Sequence, residues 1–93
     1  MDIIHAFKIL QRHGYVVDQY SFDQSWLGKK PGYFAYLKST KSEPSVEALM
    51  RLHLRLLEQE ERDARWGLAT GAMADLASSM MDEIKQRCRP TNS

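Results

Sequence analysis

The chain is poor in the features that mark several functional classes. Cys88 is its only cysteine, so no disulfide can form within it, and a lone thiol suits a reducing compartment. No apolar run approaches the roughly 20 residues that a bilayer-spanning helix needs. The start, Met1-Asp2-Ile3-Ile4-His5, has no basic region leading into an apolar stretch, so no secretory signal is expected. Together these absences predict a cytoplasmic chain with no membrane partner. His5, His13 and His53 are scattered, without a second ligand at H-x-x-x-H spacing, so no metal is expected. Paired carboxylates, a serine or cysteine beside a placed base, and a phosphate-cradling glycine loop are all missing; Lys29-Lys30-Pro31-Gly32 is too short for such a loop. Neither enzymatic activity nor a cofactor is predicted. The net charge is only +1, from 13 basic and 12 acidic residues. Any affinity for nucleic acid must therefore come from where the charges sit, not from their sum.

What remains reads as helix. Ile3, Phe7 and Leu10, with Ile4 beside them, recur at helical spacing over Asp2 to His13, and Gly14 is a natural stop. A second helix is predicted from about Asp18 to Leu27. Its start is capped either by Asp18 or by Ser21, which has Gln24 three residues later. Phe22 and Trp26 share one face there, with Leu27 adjacent, and Gly28 ends the helix. A third helix is predicted over Pro31 to Lys38, since proline suits the first helical position. Phe34 and Leu37 would face inward, and Tyr33 and Tyr36 would lie on the more exposed side. A polar loop over 39–43 leads to Pro44-Ser45, where Ser45 caps a helix carrying Val46, Leu49, Met50, Leu52, Leu56 and Leu57 on an apolar face. From Glu58 to Arg65 the chain is almost wholly polar but lacks proline and glycine. It is either an exposed continuation of that helix or a break. A last amphipathic helix is predicted from about Trp66 to Arg89, with Gly67 and Gly71 each weakening it by about 1 kcal/mol.

Two short helices joined by a tight glycine turn, flanked by further helices, are the anatomy of a helix-turn-helix. In its detail this segment resembles the Cro and lambda-repressor (XRE) class. Gln19, Phe22 and Leu27-Gly28 match the first helix of the class motif. Lys29 to Phe34, Leu37, the loop 38–43 and Pro44-Ser45-Val46-Glu47-Ala48-Leu49 match its turn, its second helix and the start of the next. The alignment from Gly28 to Leu56 needs no gap, and Asp2 to His13 stands where the class has its first helix. One residue more than in the class lies between Phe22 and Leu27. Thr40 replaces a common glycine and Lys38 a common glutamate. The resemblance implies an all-α fold, with a helix-turn-helix domain of about four helices over 1–57, a C-terminal helix over 58–89 and a tail over 90–93. It also implies a transcriptional regulator that reads duplex DNA through the major groove. By position, Pro31, Gly32, Tyr33 and Tyr36 would face the bases. Gln19, Lys30, Ser39 and Lys41 would hold the backbone, and the residue chemistry adds Lys29 and Lys38.

The residue chemistry agrees in part. No acidic residue lies between Gly28 and Ser42, while Lys29, Lys30, Lys38 and Lys41 do. Lysines of this kind neutralise phosphates and supply sequence-independent affinity. Strong base discrimination comes from Arg, Asn or Gln, and the third helix has none. A helix-turn-helix adaptor that docks another protein is therefore the alternative function. The stripe Trp66, Met73, Leu76, Met80 and Ile84 either completes the core or forms the interface of a homodimer, which is the expected state because two half-sites multiply affinity.

Overall fold

A computed structural model describes residues 3–88, and among these the fold is all-helical, with no strand. The helices are α1 (Ile3–Arg12), α2 (Gln19–Ser21), α3 (Tyr33–Thr40), α4 (Val46–Arg65) and α5 (Ala72–Arg87). A π-helical segment, Phe22–Leu27, continues α2 without a break. Asp2, Arg89 and the expected tail over 90–93 lie outside the described residues. None of the described helices is long and apolar enough to cross a membrane.

The core is built at a junction of three aromatic rings. Phe7 of α1, Phe22 of the π segment and Phe34 of α3 meet with ring centroids 5.1–5.2 Å apart. Such pairs stabilise by about 0.5–1.5 kcal/mol each beyond the area they bury. The triad fixes three short helices that could not persist alone, because an isolated helix of this length is marginal in water. Leu10, Leu27, Leu49, Leu52 and Leu56 are fully buried around it.

Helix α4 is the longest element and the spine of the domain. Its start follows the sequence: Ser45 accepts a hydrogen bond from Ala48 N–H at 3.1 Å, and the Glu47 carboxylate sits in the positive first turn. The polar stretch Glu58 to Arg65 is helical throughout, so the expected boundary between residues 57 and 58 falls inside α4. Internal ion pairs at i,i+4 spacing, Glu58–Arg62 at 2.6 Å and Glu61–Arg65 at 2.8 Å, lie along this half. Each adds only a few tenths of a kcal/mol, so packing of the opposite face carries the helix.

Helix α5 starts at Ala72, six residues later than its apolar periodicity suggests. Gly67 and Gly71 both adopt positive φ, which turns the chain back between α4 and α5. Trp66 is thereby left 80% exposed in the turn, off the stripe that it was expected to head. Met73, Leu76, Met80 and Ile84 are buried against α4 and the rest of the core. The homodimer interface expected on these four residues is therefore corrected: the monomer already covers them. His53 reinforces the pairing, its Nδ1 lying 2.7 Å from the Ala77 carbonyl of α5.

One polar knot closes the far end of α4. The Tyr15 hydroxyl donates to the buried carboxylate of Asp63, which also accepts from Gln59 Nε2 at 2.9 Å. The backbone carbonyl of Asp63 receives the N–H groups of Trp66 and Leu68. The hydrogen bond to Asp63, assisted by burial and by the negative charges of Asp63 and Glu60, pushes the Tyr15 phenol from 10.0 up to about 12. Folding therefore favours the protonated phenol. That stabilisation is complete below pH 10 and is lost as the pH rises through 12. Thermal melts should show a loss of stability between pH 10 and pH 12 that is shallower in Tyr15→Phe, and a lower Tm for that variant at pH 8. Parallel pH profiles for the two proteins would exclude this coupling.

Candidate functional site

The side chain that organises α2 and α3 is Asp23. It sits in the first turn of the π segment and is 1% exposed. Its Oδ2 accepts the N–H of Gly32 and its Oδ1 the N–H of Phe34, each at 2.9 Å. A helix leaves its first N–H groups without internal partners, and Gly32, the residue before α3, has no side chain to cap them. Asp23 supplies the cap from the preceding helix, and its negative charge faces the positive end of α3. The same residue closes the turn from behind, because its backbone carbonyl accepts the N–H groups of Gly28 and Lys29.

The π conformation is what brings Asp23 to that place. Hydrogen bonds in a π turn run from i to i+5, which widens the turn by one residue. Phe22, Asp23, Trp26 and Leu27 are consequently all buried on one side of the segment. Gly28 then reverses the chain at φ 66°. A Cβ there would stand 2.5 Å from Cδ of Arg51, but that side chain is exposed and free to move aside, so it is the positive φ that calls for glycine. Asp18 caps α2, accepting Ser21 N–H at 2.9 Å, which settles the choice left open between Asp18 and Ser21.

Helix α3 begins at Tyr33 and ends at Thr40, two residues later at each end than Pro31 to Lys38. Gly32 adopts φ 98° directly before it and cannot be part of the helix. Phe34 and Leu37 face the core as expected. On the outer side, Pro31, Gly32, Ala35, Tyr36, Ser39 and Thr40 are exposed, with Tyr36 at 58%. Lys30, Lys38 and Lys41 are exposed around them. Acidic groups border these lysines: Glu43 and Glu83 line one cleft together with Lys38 and Lys41. Glu47 lies 3.7 Å from Lys29 Nζ and 4.0 Å from Arg51 Nε, and Glu43 lies 4.0 Å from Arg87 Nε.

Four of the expected site residues are less available than their sequence positions suggest. Tyr33 is half-buried, and its hydroxyl accepts the N–H of Ser45 at 3.0 Å, so the ring is a strut between α3 and the start of α4 instead of an outward reader. Lys29 has a side chain only 26% exposed, held between Glu47 and the face of the Tyr33 ring at 5.5 Å. It is therefore not displayed with the other lysines. Gln19 heads α2, where a phosphate contact was expected. That helix end already carries the Asp18 carboxylate, whose pKa is lowered by its hydrogen bonds with Ser21, and a second anion there is disfavoured. Gly32 is exposed, but its N–H is taken by Asp23 and is not free for a ligand. Tyr36 and Ser39 lie on the outer side of α3, and Lys30 and Lys41 are exposed at its two ends. Lys38 lies on the other flank, its Nζ 5.1 Å from the centre of the Phe34 ring. Asp23, Ala35 and Arg51 were not singled out from the sequence. Asp23 carried a usable signal: it is an acidic residue among Phe22, Trp26 and Leu27, nine positions before a glycine that cannot cap its own helix.

Two variants test this arrangement. Asp23→Ala strands two N–H groups at the start of α3 and should destabilise the fold by about 2–4 kcal/mol in urea unfolding. A loss below about 0.5 kcal/mol would show that the cap is dispensable. Lys41 ends α3 in the left-handed region at φ 54°, a conformation that costs a non-glycine residue about 1 kcal/mol. Lys41→Gly should therefore raise the unfolding free energy by up to about 1 kcal/mol. A lower stability would contradict that strain.

Comparison with known proteins identifies a family. Residues 3–92 match the model of a family of unknown function, DUF6626, which spans almost the whole chain. No curated protein and no solved structure matches it. The chain belongs to the DUF6626 family.

Proposed function

We propose that this chain is a cytoplasmic helix-turn-helix protein that binds duplex DNA through the outer face of α3 and acts in transcriptional regulation. The observation that carries the reading is a short helix anchored on one side by Phe34, Leu37 and the Asp23 cap, with its other side exposed and free of acidic residues. A recognition helix needs both properties: rigid support, and a surface that tolerates phosphates. The ungapped resemblance from Gly28 to Leu56 supports the same reading. The extra residue between Phe22 and Leu27 is compatible with it, since the π turn absorbs one residue without displacing Gly28 from the end of the helix.

Lys30, Lys38 and Lys41 bind phosphates, Ser39 adds a polar contact beside them, and Tyr36 reaches the base edges. Tyr36 can donate one hydrogen bond or pack on a thymine methyl, so base discrimination is modest and DNA shape contributes the rest. Three phosphate contacts give a slope of about −2.7 in log affinity against log salt. That corresponds to a fall of about 40-fold between 50 and 200 mM salt. No cofactor and no catalytic group enters this activity. The exposure of Trp66 and Leu68 in the α4–α5 turn favours protein docking by an adaptor as the second reading.

Fluorescence polarisation with mixed genomic duplexes decides between them. The Lys30→Glu, Lys41→Glu double variant should lose at least about tenfold in affinity at 50 mM salt while keeping its helical circular dichroism. Tyr36→Ala should flatten the preference among selected duplexes more than it weakens average binding. Absence of binding by the unaltered protein at low salt, or unchanged affinity in the double lysine variant, would overturn the DNA reading.

A further inference from the structure

Burial of the α5 stripe leaves a different helix face without a partner. On the side of α4 turned away from the core, Leu54 is 57% and Leu57 44% exposed, and the half-buried Met50 continues the line. These residues fall at i, i+4 and i+7, one stripe along two turns. Charged residues extend it in both directions: Glu47 and Arg51 before the leucines, Glu61 and Arg65 after them. All four of these side chains are more than 60% exposed. Glu58 and Arg62 form the rim on the side of the π segment and pair with each other.

The order of these residues is its own complement when reversed. In an antiparallel pair of α4 helices centred near residue 56, residue n of one copy lies opposite residue 111 − n or 112 − n of the other. Leu54 then meets Leu57, Arg51 meets Glu61 and Glu47 meets Arg65, and two-fold symmetry makes each contact twice. The parallel alignment sets every charge against itself and brings Glu47 to Glu47 and Arg51 to Arg51. Isologous interfaces require a self-complementary patch, and like charges placed opposite one another are strongly disfavoured. Within the monomer the same groups form only the exposed pairs Glu47–Arg51 at 4.0 Å and Glu61–Arg65 at 2.8 Å. Exposed pairs contribute little to stability, so their regrouping across two chains costs little.

We infer that the outward face of α4 is the docking surface for a second copy of this chain, in antiparallel register about Leu54 and Leu57. Docking there is independent of DNA binding and uses no residue of the α3 face. The apolar stripe is short, so the dimer is a weak one, in exchange with a monomer whose core is already complete.

Sedimentation equilibrium over a range of protein concentrations tests this, with circular dichroism to confirm that each variant is folded. The unaltered chain should pass from 10.8 kDa towards twice that mass at concentrations up to about 1 mM. Leu54→Glu should remain monomeric, and Arg51→Glu should weaken association by about tenfold or more. The charge swap Arg51→Glu, Glu61→Arg should restore it. Residues 51 and 61 are about 15 Å apart along one α4, and the swap leaves like charges in both internal i,i+4 pairs. Recovery can then come only from contacts between chains. A chain that stays at 10.8 kDa throughout, a Leu54→Glu variant that associates as well as the parent, or a swap that fails to restore association would each overturn the inference.

Discussion

A buried carboxylate facing the start of a short helix is the constraint on which this structure turns. Helix α3 is eight residues long and is preceded by a glycine that offers no cap. Left to itself it would fray, because nucleation of a helix is costly and two turns return little. Asp23 answers both problems at once. Its carboxylate satisfies the N–H groups of Gly32 and Phe34, and its carbonyl gathers those of Gly28 and Lys29. One residue therefore sets where the π segment ends, how the turn runs and where α3 begins. The Phe7–Phe22–Phe34 junction then holds the pair against α1, and Tyr33 ties it to α4 through Ser45.

The outer face of α3 follows from that anchoring. With Phe34 and Leu37 committed to the core and Tyr33 committed to α4, the groups left to face solvent are Ala35, Tyr36, Ser39 and the surrounding lysines. Two of the neighbouring carboxylates are held in ion pairs at the edges of this surface, Glu47 by Lys29 and Arg51 and Glu43 by Arg87. A chain with almost no net charge can thus display a locally basic surface. The field near a surface depends on arrangement over distances shorter than the screening length, about 8–10 Å at ordinary salt, and not on the total.

Much of the helical plan is readable before any coordinate. The position of α1, the start of α4 with its Ser45 cap, and the inward faces of Phe34 and Leu37 follow from periodicity and end signals, while the extent of α4 and the choice of Asp18 over Ser21 as the α2 cap do not. The site was less legible, for identifiable reasons. Tyr33 and Tyr36 are three apart on the same exposed side of a helical projection, and nothing local distinguishes them. Only the approach of α4, which brings Ser45 N–H within reach, separates the strut from the exposed ring. Lys29 resembles its neighbour Lys30 in sequence, but Glu47 lies eighteen positions away and reaches back to it. The stripe Met73, Leu76, Met80 and Ile84 had two possible partners, another helix of the same chain or a second copy, and periodicity cannot choose between them.

By itself the sequence determined an all-helical chain, the identity of its main apolar faces and the Ser45 cap of α4, because these depend on residues within four or five positions of one another. Tertiary structure decided which polar groups are consumed inside the molecule and which remain outside. It placed Asp23 under α3, drew Tyr33 and Lys29 inward, closed α5 onto α4 and left the Leu54–Leu57 face of α4 bare. Those outcomes depend on pairs distant in sequence, whose meeting is set by the packing of whole helices. No local pattern of residue types encodes that packing.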